Sequence, residues 1–284
     1  MKIFEWNFKE NFEIKEDLIM VLGSFETLHL GHYELIKIAK DIKISNPQKK
    51  IAIMVFNNTY KGALGLDKKA MQTQTRLYTL FNLGFDFVFL ANINKENLNV
   101  SHEDFCKNLL LNKVKFVICG KDFKFGFRRL GNIEYLSKFF NVTVANERKI
   151  QKRKISSTLI NELIEEGNIF AINNLLIEKY AFITNFNKFN FAFPNKIKKI
   201  KPGIYIANFV IDDIEYHGLI KISNDQNNEN DNLAFLLDLE IIPSKYQDIF
   251  VELEALIRHI NLDHENEIRD NDIELTKKWF INKN

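Results

Sequence analysis

His29 and His32 stand on either side of Gly31, near the middle of the stretch 19–36. Two imidazoles three residues apart can project from one side of a turn and hold a phosphate from above. The stretch opens as an apolar run, Ile19 to Leu22, breaks at Gly23, and resumes with apolar residues at Leu35, Ile36 and Ala39. That order reads as strand, turn and helix. A helix N-terminus presents unpaired N–H groups and the positive end of its dipole, so it attracts phosphate. The chemistry indicated is the handling of phosphate groups.

Two further clusters carry the same suggestion. Between Cys119 and Gly131 lie Gly120, Gly126 and Gly131, the rings of Phe123, Phe125 and Phe127, and the cations Lys121, Lys124, Arg128 and Arg129. Such a loop can wrap a flat anionic ligand, with rings for stacking and cations for phosphate. Farther on, Lys152, Arg153 and Lys154 precede Ser156, Ser157 and Thr158, which open a helix running to Glu166 and stopped by Gly167. Hydroxyls at a helix start behind three cations make a second anion site.

The elements that position these clusters alternate. Strands are expected over 51–56, 85–90 and 114–119, and helices over 33–42 and 74–83, with another starting at Ser101 as its cap. Strand and helix in turn, joined mostly by short connections, indicate a doubly wound parallel sheet. Asn57 follows the second buried strand, at the end of such a sheet where ligands sit. After Leu176 the pattern changes to short strands over 180–184, 203–211, 217–223 and 233–239, with a polar loop over 223–231. Ile249, Leu253, Leu256, Ile257 and Ile260 fall at helical spacing, so a closing helix and then a charged tail are expected. Several strands with one helix suggest a small β-barrel.

The bounds agree with a two-domain globular protein: 284 residues, 46% hydrophobic. No apolar run reaches the roughly 18–20 residues of a membrane span. The start of the chain has no signal pattern. Cys106 and Cys119 are therefore expected as reduced core residues, and a net charge of +2 gives no argument for nucleic acid. A cytoplasmic protein acting on small molecules is expected, with neither nucleic acid nor membrane as partner.

The His29–Gly31–His32 pattern resembles the HxGH signature of the nucleotidyltransferases. Its wider form, G-x-F-D-G-x-H-x-G-H, is typical of bacterial FAD synthetases, the bifunctional riboflavin kinase/FMN adenylyltransferases; here Glu26 and Thr27 replace Asp-Gly. The loop at 120–131 is similar to that family's G-x-D/N-F-x-F-G-x-x-R-x-G-D, with Asn132 at the last place. Residues 155–161 are similar to its I-S-S-T-x-I-R, with Asn161 in place of arginine. Its Pro-His-Pro turn falls on Asn58, Thr59 and Tyr60.

The resemblance implies an α/β doubly wound nucleotidyltransferase domain at 1–176 and a riboflavin-kinase-type β-barrel at 177–284. It implies transfer of AMP from ATP to FMN, giving FAD and pyrophosphate, with Mg²⁺ bridging phosphates and no metal ligands from the protein. His29 and His32 would be catalytic. Gly23, Ser24, Phe25, Gly31, Ser156, Ser157 and Thr158 would hold ATP phosphates. Asn57, Asp122, Phe123, Phe125 and Arg129 would line the flavin or adenine site. The kinase half departs from its pattern. Asn195 and Ile197 stand where a threonine and an asparagine hold Mg-ATP, and 185–192 lacks the glycines of the phosphate loop. Leu233 stands where a glutamate is the general base. Loss of kinase activity is expected. Two alternatives remain: a nucleotidyltransferase with another phosphate acceptor, or a decayed protein that binds flavin nucleotide without turnover.

Overall fold

The computed structural model describes residues 1–58, 68–94, 97–223, 231–239 and 245–283. Thr59, Tyr60 and the polar loop over 224–230 lie outside the described residues. In chain order the first elements are β1 (Lys2–Trp6), β2 (Leu18–Leu22), α1 (Leu30–Ser45), β3 (Lys50–Phe56), α2 (Thr73–Asn82) and β4 (Phe87–Ala91). Then come α3 (His102–Leu111), β5 (Val114–Gly120), α4 (Ile133–Leu136), β6 (Asn141–Ala145) and a small hairpin of β7 (Lys149–Ile150) with β8 (Arg153–Lys154). The chain divides into two compact units, Met1–Lys68 with Leu77–Ser156, and Lys69–Arg76 with Ser157–Asn284.

In the first unit β1 to β6 form one sheet in the order β1-β4-β3-β2-β5-β6. Every neighbouring pair is parallel. All five residues of β2 are buried, because a parallel sheet is covered on both faces; this is why it reads as an unbroken apolar run. Met20, Leu22, Met54, Val117 and Cys119 share one core with Trp6 and Phe105. Helix α1 lies across β2, β3 and β5, burying Leu35, Ile36 and Ala39. From β2 the strand order runs outward through β3 and β4, whereas β5 lies on the other side of β2. That reversal opens a crevice at the carboxyl ends of β2 and β5, the usual ligand position in such sheets. The two edge strands, β1 and β6, were not expected from the sequence, since their partly exposed residues carry no clear apolar run.

The second unit contains α5 (Ser157–Glu166), α6 (Ile169–Leu175), β9 (Ala181–Asn187), β10 (Asn190–Phe191), β11 (Gly203–Ile211), β12 (Ile214–Ile222), β13 (Asn232–Leu236), β14 (Lys245–His259) and α7 (Asp270–Lys283). Its strands close into a barrel ordered β10-β13-β12-β11-β14-β9. Rings of Phe182, Phe186, Phe191, Phe193 and Phe209 pack among one another there, with centroids 5.0 to 6.0 Å apart. The division after Ser156 differs from the expected boundary at 176. Asn173 of α6 supplies a reason: its amide donates to the Leu253 carbonyl (2.8 Å) and its oxygen accepts from the Tyr180 N–H (2.9 Å), fastening the helix to the barrel.

The expected closing helix at 249–260 is instead β14, a strand of 15 residues. Ile249, Val251 and Leu253 do alternate, but the pairing with β11 slips at two places, between Ile204 and Tyr205 and between Ile206 and Ala207. Each bulge inserts an unpaired residue and shifts the parity of the strand, so Leu256, Ile257 and Ile260 mimic a helical spacing. The expected charged tail is the helix α7. Its Asp272, buried, takes a two-pronged bond from Arg258 at 3.0 and 2.9 Å, and its Phe280 packs edge-on against His217.

Candidate phosphate-transfer site

His29 is the N-cap of α1, with extended backbone, and its ring Nδ1 accepts from the His32 N–H at 3.2 Å. Helix caps are ordinarily Ser, Thr, Asp or Asn; here an imidazole does that work. Accepting at Nδ1 requires its lone pair, so the neutral ring carries its proton on Nε2. His29 is 5% exposed. Burial pushes its pKa down to about 4, and the charge of Lys154 pushes the same way. At neutral pH the ring is an uncharged donor through Nε2.

His32 stacks on His29 with centroids 3.8 Å apart and planes 12° from parallel. Gly31 makes the approach possible: a Cβ there would come within 3.0 Å of the His29 ring and 3.3 Å of the Ile155 carbonyl. Gly23 is equally confined, since its Cβ would sit 2.7 Å from the Phe25 ring. Ser24 is exposed, and its carbonyl accepts from Phe56 N–H, tying the turn to the end of β3. Phe25 is 0% exposed, so its ring is not available as a phosphate contact. It lies against His32 at 4.6 Å instead.

The second cluster is an ordered loop. Phe125 and Gly131 exchange both backbone bonds, at 3.1 and 2.9 Å. Gly126 has φ of +71°, and its Cβ would meet the His102 nitrogen at 2.6 Å, so the loop is pressed against the start of α3. This closure turns Phe125 into the core, 4.8 Å from Phe105, and it offers no free face for stacking. Phe123 is half-buried and stacks on Phe125. Arg129 is exposed, with left-handed backbone at φ of 58°. Asn57 donates its side-chain amide to Asn92 at 2.6 Å.

Asp122 pairs with Lys154 at 2.8 Å. Lys154 also reaches Glu147 at 3.2 Å, and Glu147 in turn meets Lys121 at 3.3 Å. The Lys154 ammonium holds the Asp122 carboxyl below its usual range. Lys154 therefore joins the loop after β5 to the hairpin β7–β8, and its charge is felt at His29. The sequence showed a basic run at 152–154 but not this arrangement. Gln151 and Lys152, both left-handed, make the hairpin turn with residues that give no turn signal.

Ser156 ends the first unit, and Ser157 and Thr158 open α5 in the second. Asn161, in the same helix, has a buried side-chain oxygen without a hydrogen bond among the described residues. Among the described residues no group of three or more His, Cys, Asp or Glu is placed to hold a metal ion. No described helix is long and apolar enough to cross a membrane.

A model of the FAD synthetase family matches residues 11–159, more than half of the chain. The chain belongs to the FAD synthetase family. It is 29% identical over 181 residues to the bifunctional riboflavin kinase/FMN adenylyltransferase of Buchnera aphidicola subsp. Acyrthosiphon pisum, covering 58% of this chain and 55% of that protein. It is 29% identical over 172 residues to the enzyme of the same description from Listeria monocytogenes, covering 57% and 54%. The chain thus spans little more than half the length of the curated relatives it matches. Over its whole length this FAD synthetase family member superposes on the solved structure of a macrolide-efflux protein from Streptococcus pneumoniae, with a TM-score of 0.79 and 19% identity, covering 100% of this chain and 97% of that one. That likeness is one of fold alone. It extends the shared fold beyond the family match to the barrel.

Proposed function

We propose that this protein is an FMN adenylyltransferase: it transfers AMP from ATP to the phosphate of FMN, giving FAD and pyrophosphate. The observation that carries the reading is the stacked pair of His29 and His32 at the mouth of α1, beside the crevice between β2 and β5. The FMN phosphate attacks the α-phosphorus of ATP in line, and the bond to the β-phosphate oxygen breaks, with no covalent intermediate on the protein. His29 donates through Nε2 to the phosphate chain, and His32 acts beside it. The N-terminus of α1, Gly23, Ser24, Gly31, Ser156, Ser157 and Thr158 supply further donors. Lys154 contributes positive charge near His29. Asn57, Asp122, Phe123 and Arg129 line the site for the flat rings. Positioning and electrostatics then carry the rate.

The described side chains do not form a cage for a metal ion. Mg²⁺ enters this proposal as the companion of the ATP phosphates, where it characteristically binds, and no step is assigned to it here. We assign the transferase to residues 1–176, because Ser157 and Thr158 belong to its motif, and place the enzyme in the cytoplasm, acting on small molecules, with neither nucleic acid nor membrane as partner. The barrel at 177–284 is proposed to lack kinase activity: Leu233 cannot accept a proton, and Ile197 is a buried apolar residue at the place of a metal-ATP contact.

One observation favours a second reading, a flavin-nucleotide binder without turnover: Asn161 stands where the family pattern has an arginine. Product analysis of the purified protein with ATP and Mg²⁺, given either FMN or riboflavin, decides. FAD from FMN and nothing from riboflavin is the expected result. Tight flavin binding with no pyrophosphate release selects the second reading, and FMN formed from riboflavin overturns the loss of kinase activity.

A further inference from the structure

Phe25 combines three properties that are rarely found together. It is 0% exposed, its backbone is left-handed at φ of 47°, and its ring faces that of His32 at 4.6 Å with planes 45° apart. A residue with a large side chain populates that backbone region sparsely, and keeps it only where the surroundings over-determine it. Two neighbours do so. Gly23 leaves the space that the Phe25 ring fills, and a single added carbon there would collide with it at 2.7 Å. On the other side His32 is held between the Phe25 ring and the His29 ring, which lies 3.8 Å beyond. The result is a row of three rings, phenyl, imidazole, imidazole, of which the phenyl has no exposed surface.

We propose that Phe25 is a positioning residue: it acts through His32, fixing the plane of that imidazole and hence the geometry of the histidine pair that faces phosphate. The inference rests on the adenylyl-transfer reading of the site. A buried ring packed on His32 accounts for a left-handed phenylalanine in the phosphate turn. Catalytic side chains hold productive geometry only when packing locks their own rotamers, and a misplacement of about 1 Å can cost on the order of 100-fold in rate.

The test uses the full chain with Phe25→Leu, which keeps apolar bulk but removes the flat ring, and Phe25→Tyr, which keeps the ring. Phe25→Leu is expected to lower kcat for FAD formation about 100-fold while KM for ATP and FMN stays within about threefold. Phe25→Tyr is expected to restore kcat to within about tenfold of the wild type. A loss in Phe25→Leu that falls mainly on KM, or no loss at all, overturns the proposal. A second measurement stands apart from turnover. Nuclear magnetic resonance of the wild-type protein should show an Overhauser contact between the Phe25 and His32 rings, and His32 ring resonances should shift in Gly23→Ala, where the added methyl displaces the phenyl. Absence of the contact, or an unmoved His32, overturns the proposal even if Phe25→Leu does not fold. Wild-type protein that makes no FAD counts against the adenylyl-transfer reading, and the resonance result then still decides the positioning role.

Discussion

Lys154 and Asp122 form an ion pair, Nζ to Oδ2 at 2.8 Å, that ties the hairpin β7–β8 to the loop following β5. Both ends of the pair lie beside the crevice, and Lys154 is the cation whose charge depresses the titration of His29. Hydrogen bonds to charged groups contribute about 1.5–3 kcal/mol. Lys154→Met should therefore raise KM for ATP about 10- to 100-fold, measured in the FAD-forming assay at fixed FMN. Asp122→Asn, which frees the lysine from one of its two carboxylates, should have the smaller effect.

His29 makes stability depend on pH in one direction. Its folded pKa is pushed down to about 4 from 6.5, chiefly by burial. The unfolded chain therefore binds a proton before the folded one does, and stability is lost as pH falls from about 6.5 toward 4. By linkage the loss approaches about 3 kcal/mol once the folded pKa is reached. Urea unfolding of the wild type and His29→Asn at pH 7.5 and 4.5 measures it. Asparagine keeps a cap acceptor but does not titrate, so the wild type should lose more stability between the two conditions.

Asn161 puts a neutral amide where the family pattern has a charged donor. Its buried oxygen makes no hydrogen bond among the described residues, and an arginine at this place is part of the family pattern. Removing one donor to a transition state commonly costs about 100- to 1000-fold. Asn161→Arg should accordingly raise kcat rather than lower it, by up to about 100-fold. Pyrophosphate release under saturating substrates is the measurement.

Gly126 has a φ of +71° and a neighbour, the His102 backbone, where a side chain would have to go. Gly126→Ala should destabilise the first unit by about 1–3 kcal/mol and loosen the loop that carries Phe123 and Arg129. Thermal unfolding reads the first effect, and a rise in KM for FMN reads the second.

The parallel sheet was legible because β2, β3 and β5 are covered on both faces, so their apolar runs stand out against everything else in the chain. The HxGH turn was legible too, because the two histidines and Gly31 follow Gly23 and Phe25 between an apolar strand and a helix. What the sequence could not show were effects of packing. Phe125 looked like a stacking face for a ligand, but the Phe125–Gly131 pairing turns it into the core. Phe25 looked like a phosphate contact, and nothing in its identity announces a left-handed backbone. The bulges of β14 disguised a strand as a helix by shifting its parity twice. Lys154 appeared only as one cation in a run, because its partners Asp122 and Glu147 lie apart from it in the sequence.

The closure of the barrel by β14 sets an order of events at the ribosome. Strand β9, ending at Asn187, pairs with β14, which begins at Lys245. Roughly 60 residues must be made between them, which at about 5–20 residues per second takes about 3–12 s. Through that interval one edge of β9 has no partner from its own barrel, and unpaired edges are templates for association with other chains. The parallel sheet waits as well, since roughly 90 residues separate the end of β2 from its partner β5. Nascent chains arrested between Asn187 and Lys245 carry that open edge of β9, the surface a chaperone would cover during synthesis.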